Sequence, residues 1–240
     1  MHDDASPFFI APHRFDAPDD VGPVLDRRHE LVPRAGERIL GRHRLRVAGY
    51  VLGPTEAWRR WVLPGSVAVT VTDRRVAYVG TGSQLALVDG VDDARHRRGV
   101  RRPGLVSGQI RWQWPSRLEL LPAGPEHPAQ LLVVCDALRT IQQPALALGG
   151  PAGQVAELAR QVRRAVAVFR LTRPELVDLS PPERDVLAVR AGIGPHREDA
   201  RITLPGSLPV EFRSRDDYYR RDRSDRVSSG PATDAASGHR

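Results

Sequence analysis

The stretch Ala94-Arg95-His96-Arg97-Arg98-Gly99-Val100-Arg101-Arg102-Pro103 holds the densest cluster of arginines in the chain. From Asp92 to Arg102, five arginines against two aspartates leave a local charge of +3. A guanidinium is a planar fork that donates two parallel hydrogen bonds, which suits it to phosphate. Arg95, Arg97, Arg98, Arg101 and Arg102 are therefore candidate ligand-binding residues. They could grip an anionic membrane, where each basic residue near the surface contributes about 1 kcal/mol, or a nucleic-acid backbone. The plainer alternative is a solvated loop in an arginine-rich protein. Trp58 and Trp61, beside Arg59 and Arg60, are a candidate interface patch, against which local packing is the simpler account.

Other chemistries find no footing. The single cysteine, Cys135, excludes an internal disulfide and a cysteine-based zinc cluster. It sits in the apolar run Leu131-Leu132-Val133-Val134-Cys135 and reads as a small buried hydrophobe. His43, His96, His127 and His196 lie far apart, and none shares helical i, i+4 spacing with another histidine. No Gly-x-Ser-x-Gly elbow supports a serine nucleophile. Gly149-Gly150-Pro151-Ala152-Gly153 precedes a helix, where a phosphate-cradling loop would stand. It lacks the Lys-Ser/Thr of a P-loop, and Pro151 removes a donor N–H, so it reads as a connector. The expectation is no catalytic residue, no metal and no cofactor.

Composition bounds the rest. The chain has 240 residues and a formal charge of +7, and every basic residue other than histidine is Arg. A pI near 10.7 is one mark of a nucleic-acid partner. A coding bias that replaces Lys by Arg and enriches Ala, Pro and Gly accounts for the same numbers. No stretch reaches the ~18 apolar residues of a membrane span, and Met1-His2-Asp3-Asp4 does not open a signal peptide. A cytoplasmic protein is expected, with a peripheral membrane position as the alternative.

Residues 1–35, with five prolines among scattered acidic groups, read as an acidic flexible leader. Regular patterning fills 36–171. Glu37 to Tyr50 reads as a long or broken strand, and Gly53 to Gly65, with two prolines, as a loop carrying one helical turn. Val67 to Val71 and Val76 to Val79 flank a polar turn at Asp73 and form a hairpin. Further strands are expected over 84–88, 107–114, 117–121, 130–135 and 138–148, with Pro144 marking an edge or a bulge. Ile110, Trp112 and Trp114 alternate with polar residues and so share one buried strand face. The helix over 151–171 repeats Val155, Leu158, Ala159, Val162, Val166 and Phe169 at the helical period. Glu157, Arg160, Arg163, Arg164 and Arg170 stand opposite, so one face alone should be covered. Residues 172–240 read as a largely disordered charged tail, with one short helix near 181–190 capped by Ser180 and Glu183.

About seven short strands closed by one C-terminal amphipathic helix form a specific order. Gly36-Glu37-Arg38-Ile39-Leu40, the hairpin Val69-Thr70-Val71-Thr72-Asp73-Arg74-Arg75-Val76 and the strand Gln109-Ile110-Arg111-Trp112 resemble the bacterial PH-like and GRAM-like domains. The resemblance spans about residues 34–171. It implies a mainly β fold, a PH-like β-sandwich or split barrel, that binds rather than catalyses and brings no catalytic residue with it. The function expected is a binding or scaffolding module for protein assembly, with a protein partner or self-association. Anionic membrane through residues 95–102 is the alternative, and nucleic acid ranks below both.

Overall fold

Runs of β-branched residues at period two dictate a sheet with one face turned inward. The computed structural model describes residues 23–54, 57–80, 85–87, 99–100, 105–125, 127–138, 141–192 and 200–210. Ten strands occur there: β1 (Ile39–Leu52), β2 (Ala57–Thr72), β3 (Arg75–Gly80), β4 (Leu85–Leu87), β5 (Gly99–Val100), β6 (Val106–Arg111), β7 (Pro115–Leu121), β8 (Ala129–Cys135), β9 (Gln143–Gly150) and β10 (Arg201–Thr203). Two helices accompany them, α1 (Ala152–Thr172) and α2 (Pro181–Ala191). All pairings between these strands are antiparallel, in the order β10-β7-β8-β9-β1-β2-β3-β6, with the short β4–β5 pair attached to β2. The mainly β architecture of about seven strands followed by a closing amphipathic helix is the one observed. β4, β5 and β10 are short additions to it.

The inner faces of β1, β2, β3, β8 and β9 meet Val155, Leu158, Val162, Val166 and Phe169 of α1 in one core. The predicted stripe of α1 is therefore its buried face. Trp112 and Trp114 are buried, as expected of core residues. They stand in the turn after β6 and not on the strand, which ends at Arg111. Trp112 still continues the ladder, since its backbone N–H donates to Arg74 O at 3.0 Å and its indole N–H to Thr72 O at 2.9 Å.

Three local readings need correction. From Ala57 on, the segment read as a loop with a helical turn is strand, because β2 starts there and pairs with β1 on both sides of one break. Pro64 and Gly65 are accommodated where the register jumps between Arg46↔Ser66 and Ala48↔Val62, so no ladder N–H is required of the proline. Pro144 lies in a strand paired on both sides and not at an edge, but β8 stops pairing at Val134↔Ala145, one residue earlier. Finally, α1 is covered on two faces. Ala167 packs with Val177, Leu179 and Leu187 in a second cluster that also takes Leu171, so α2 lies on the helix's back.

Two buried arginines tie these layers together. Glu37 accepts hydrogen bonds from Arg75 Nε (2.8 Å) and Nη2 (2.7 Å), Thr72 Oγ1 (2.7 Å) and Arg34 N (2.7 Å). Beside it, Arg38 N donates to Asp73 Oδ1 at 2.9 Å. The segments Gly36–Leu40 and Val69–Val76 thus meet as one buried ion pair with its supports. Arg170 is fully buried and donates only to carbonyls: Trp112 O (3.0 Å), Pro115 O (2.6 Å), Leu204 O (2.8 Å) and Pro205 O. Burial pulls its guanidinium down to about 10, still cationic at neutral pH. Its place opposite the apolar stripe suggested solvent; its role is to clamp the 112–115 turn and residues 204–205 onto α1.

Candidate functional site

Odd-numbered residues of β1 point into the core at Leu45 and Val47, so Arg42, Arg44 and Arg46 project together from the outer face. All three are exposed, and none makes an ion pair with a described residue. Their neighbours across the sheet are small: Thr70, Ala68 and Ser66 on β2, and Gly149 on β9 beside Arg46. β9 ends there and the chain turns into α1. A Cβ on Gly150 would stand 2.9 Å from Leu45, so the Gly149-Gly150 pair lets the connector lie tightly on β1.

Where β1 parts from β9, a groove of about 620 Å³ opens. Arg44 and Arg46 form one wall, the Ala123–Pro128 connection another, and Pro151 with Ala152 the end. Gly124 N donates to His127 O at 2.9 Å, closing that connection into a turn, and His127 Nδ1 lies 3.0 Å from Pro128 O. The first turn of α1 has no acidic residue and no side-chain cap. Its free N–H groups add partial positive charge, about half an elementary charge for a full helix. Among the described residues that line the groove, formal charge is therefore of one sign.

A narrow recess of about 50 Å³ continues from the groove past Arg46 and His127 to Tyr50, Val62 and Gln130. Gln130 is 6% exposed and its Oε1 has no hydrogen-bond partner among the described residues. A buried amide oxygen left unpaired costs about 1–3 kcal/mol, and Gln130 is one of the residues that line the recess. The arrangement thus combines two guanidinia, which take carboxylate or phosphate, with one buried acceptor, which takes a donor.

Of the sequence-derived candidates, Arg95, Arg97, Arg98, Arg101 and Arg102 lie outside the described residues. Trp58 and Trp61 are placed in β2 by their backbones, opposite Val51 and Gly49. Cys135 is buried, and burial pushes its thiol up to about 12. Its sulfur is then a neutral thiol at physiological pH and not a nucleophile. His43 Nε2 lies 3.0 Å from Gln161 Oε1, a contact that docks β1 against α1. Among the described residues no three His, Cys, Asp or Glu side chains could hold a metal ion, and no helix is long and apolar enough to cross a membrane. Sequence reasoning missed Arg44 and Arg46. Their signal was the alternation Arg42-His43-Arg44-Leu45-Arg46-Val47, charged outside and mostly apolar inside.

No family model and no curated protein matches the chain. Among solved structures, it is similar to the Vps36 N-terminal PH domain, with 9% sequence identity and a TM-score of 0.39 over 62% of this chain and 92% of that one.

Proposed function

We propose that this chain is a non-catalytic binding module for protein assembly, and that its groove takes an acidic, extended segment of a protein partner. One juxtaposition carries the reading: Arg44 and Arg46, without counter-charge among the described residues, open beside the unpartnered buried Oε1 of Gln130. A peptide supplies both halves of the match, carboxylates for the arginines and a backbone N–H for the glutamine. A phosphate supplies acceptors alone and would leave Gln130 as it is. The shape agrees. A recessed groove lined by Pro125, Pro128, Pro151 and small residues fits an extended chain better than a flat bilayer.

The test is fluorescence anisotropy with a labelled Asp/Glu-rich peptide, alongside co-sedimentation with phosphatidylserine vesicles, at low and physiological salt. The peptide should bind the wild type, and Arg44→Gln/Arg46→Gln should weaken it. Two exposed charge pairs at about 0.2–1 kcal/mol each correspond to a loss of roughly twofold to thirtyfold. Vesicle binding that depends on the same two arginines, without peptide binding, would replace the protein partner by an anionic membrane. Binding that ignores them and follows Arg97, Arg98, Arg101 and Arg102 would return the function to the basic loop.

A further inference from the structure

The outer face of β1 carries more than the groove wall. Arg42 stands across from Thr70, Arg44 from Ala68 and Arg46 from Ser66, so three exposed guanidinia follow one another at every second position. At about 3.3 Å per residue this ladder is about 13 Å long. None of the three makes an ion pair with a described residue, and like charges about 6.6 Å apart on one strand repel. An anionic segment laid along them removes that repulsion.

The chain enters the fold on this same face. Val71 of β2 and Val76 of β3 point into the core, so Thr72 and Arg75 stand on the outer face, and both are buried there. The segment before β1 covers them. Glu37 accepts from both, Arg75 Nη2 reaches Val32 O at 3.5 Å, and Val32 N donates to Val24 O at 2.9 Å. Thr72 pairs with Ile39, so the ladder begins about 10 Å along β1 from this cover.

Upstream of Pro23, outside the described residues, the sequence reads Asp16-Ala17-Pro18-Asp19-Asp20-Val21-Gly22, with three carboxylates and no basic residue. A proline at 18 favours an extended residue before it. Extended, Asp20 reaches about 10 Å and Asp16 about 23 Å from Pro23; on β1, Arg42 and Arg46 lie about the same distances from Ile39. We propose that residues 16–20 lie along Arg42, Arg44 and Arg46 of the same molecule, carboxylates against guanidinia, as an internal occupant that an acidic partner must displace. A tether this short holds the segment at an effective concentration of about a millimolar, so weak exposed pairs suffice. Displacement rests on the groove being a peptide site; docking of the segment does not.

Amide NMR spectra of the full chain, without added peptide, compare the wild type with Asp16→Asn/Asp19→Asn/Asp20→Asn. Glu175→Gln/Asp178→Asn/Asp185→Asn removes the same charge from exposed positions on and before α2. Shifts at residues 42–46 and 66–70 are expected in the first variant, independent of protein concentration, and absent there in the second. In fluorescence anisotropy the first variant should bind a labelled Asp/Glu-rich peptide about twofold to tenfold more tightly than the wild type, and the second no more tightly. Spectra unchanged at residues 42–46 would overturn the docking, and peptide binding that persists would leave the groove's function standing. Shifts that vanish on dilution would also overturn it, since the occupant would then be a second copy. Shifts at the ladder with no peptide binding to either protein would sustain the docking and remove the displacement.

Discussion

Substituting Glu37→Gln removes the charge from the most heavily bonded carboxylate described in the fold. Its two oxygens receive four donors within 2.8 Å, two of them from Arg75. Glutamine keeps the shape but turns one acceptor into a donor that faces these donors, and it leaves the buried Arg75 guanidinium uncompensated. Breaking a buried pair from one side costs about 3–5 kcal/mol. At about 2–4 °C per kcal/mol for a chain of this size, Tm should fall by roughly 6–20 °C in scanning calorimetry. Replacing both partners, Glu37→Met with Arg75→Met, should recover part of the loss, because no buried charge then remains. The acid limb gives a second readout. Burial alone would raise the Glu37 carboxyl, but hydrogen bonds from Arg75, the Arg34 amide and Thr72 outweigh it and hold the group below its ordinary value of 4.5. A depressed folded pKa contributes stability that is present above the unfolded value and lost as pH falls through the folded one. The wild type should therefore lose stability below about pH 4.5 more steeply than Glu37→Gln. A Glu37→Gln cost under about 1 kcal/mol, or an unchanged acid slope, would refute this account of the junction.

Three further outcomes follow from the same contacts. Arg170→Met should destabilise by about 1–3 kcal/mol or more, since carbonyls of Trp112, Pro115, Leu204 and Pro205 lose their donor; hydrogen exchange should rise most at residues 201–204. Cys135, buried with its thiol pushed up to about 12, should resist thiol reagents in the native state and react at the rate of global unfolding. Gly206→Ala should cost about 1–3 kcal/mol in urea denaturation, because Gly206 has φ of 73° and an added Cβ would overlap Leu179.

What could be read from the sequence was what depends on local period. The α1 stripe from Val155 to Phe169 and the Val67–Val79 hairpin declare themselves through spacing, and burial follows the spacing. The second cover on α1 was not legible. Ala167 and Leu171 sit among arginines, and only the arrival of Val177, Leu179 and Leu187 makes that face apolar. Arg170 misled for a related reason. Its exposure depends on where carbonyls of residues 112, 115, 204 and 205 come together, which no window around 170 contains. Pro64 and Pro144 signalled breaks, yet each stands in a strand where its missing N–H is not needed. The groove was invisible because it is made by strands parting. Arg44, Gln130 and Pro151 are distant in sequence and meet only where β9 leaves β1.

The most direct test of the groove as the docking site is a backbone amide NMR titration of the full chain with an Asp/Glu-rich peptide. The account predicts saturable shifts concentrated at Arg44–Arg46, Gly124–Gln130 and Gly149–Gly153, reduced in Gln130→Leu and in Arg44→Gln/Arg46→Gln. Shifts confined to other regions, or none at peptide concentrations that saturate any binding, would contradict it.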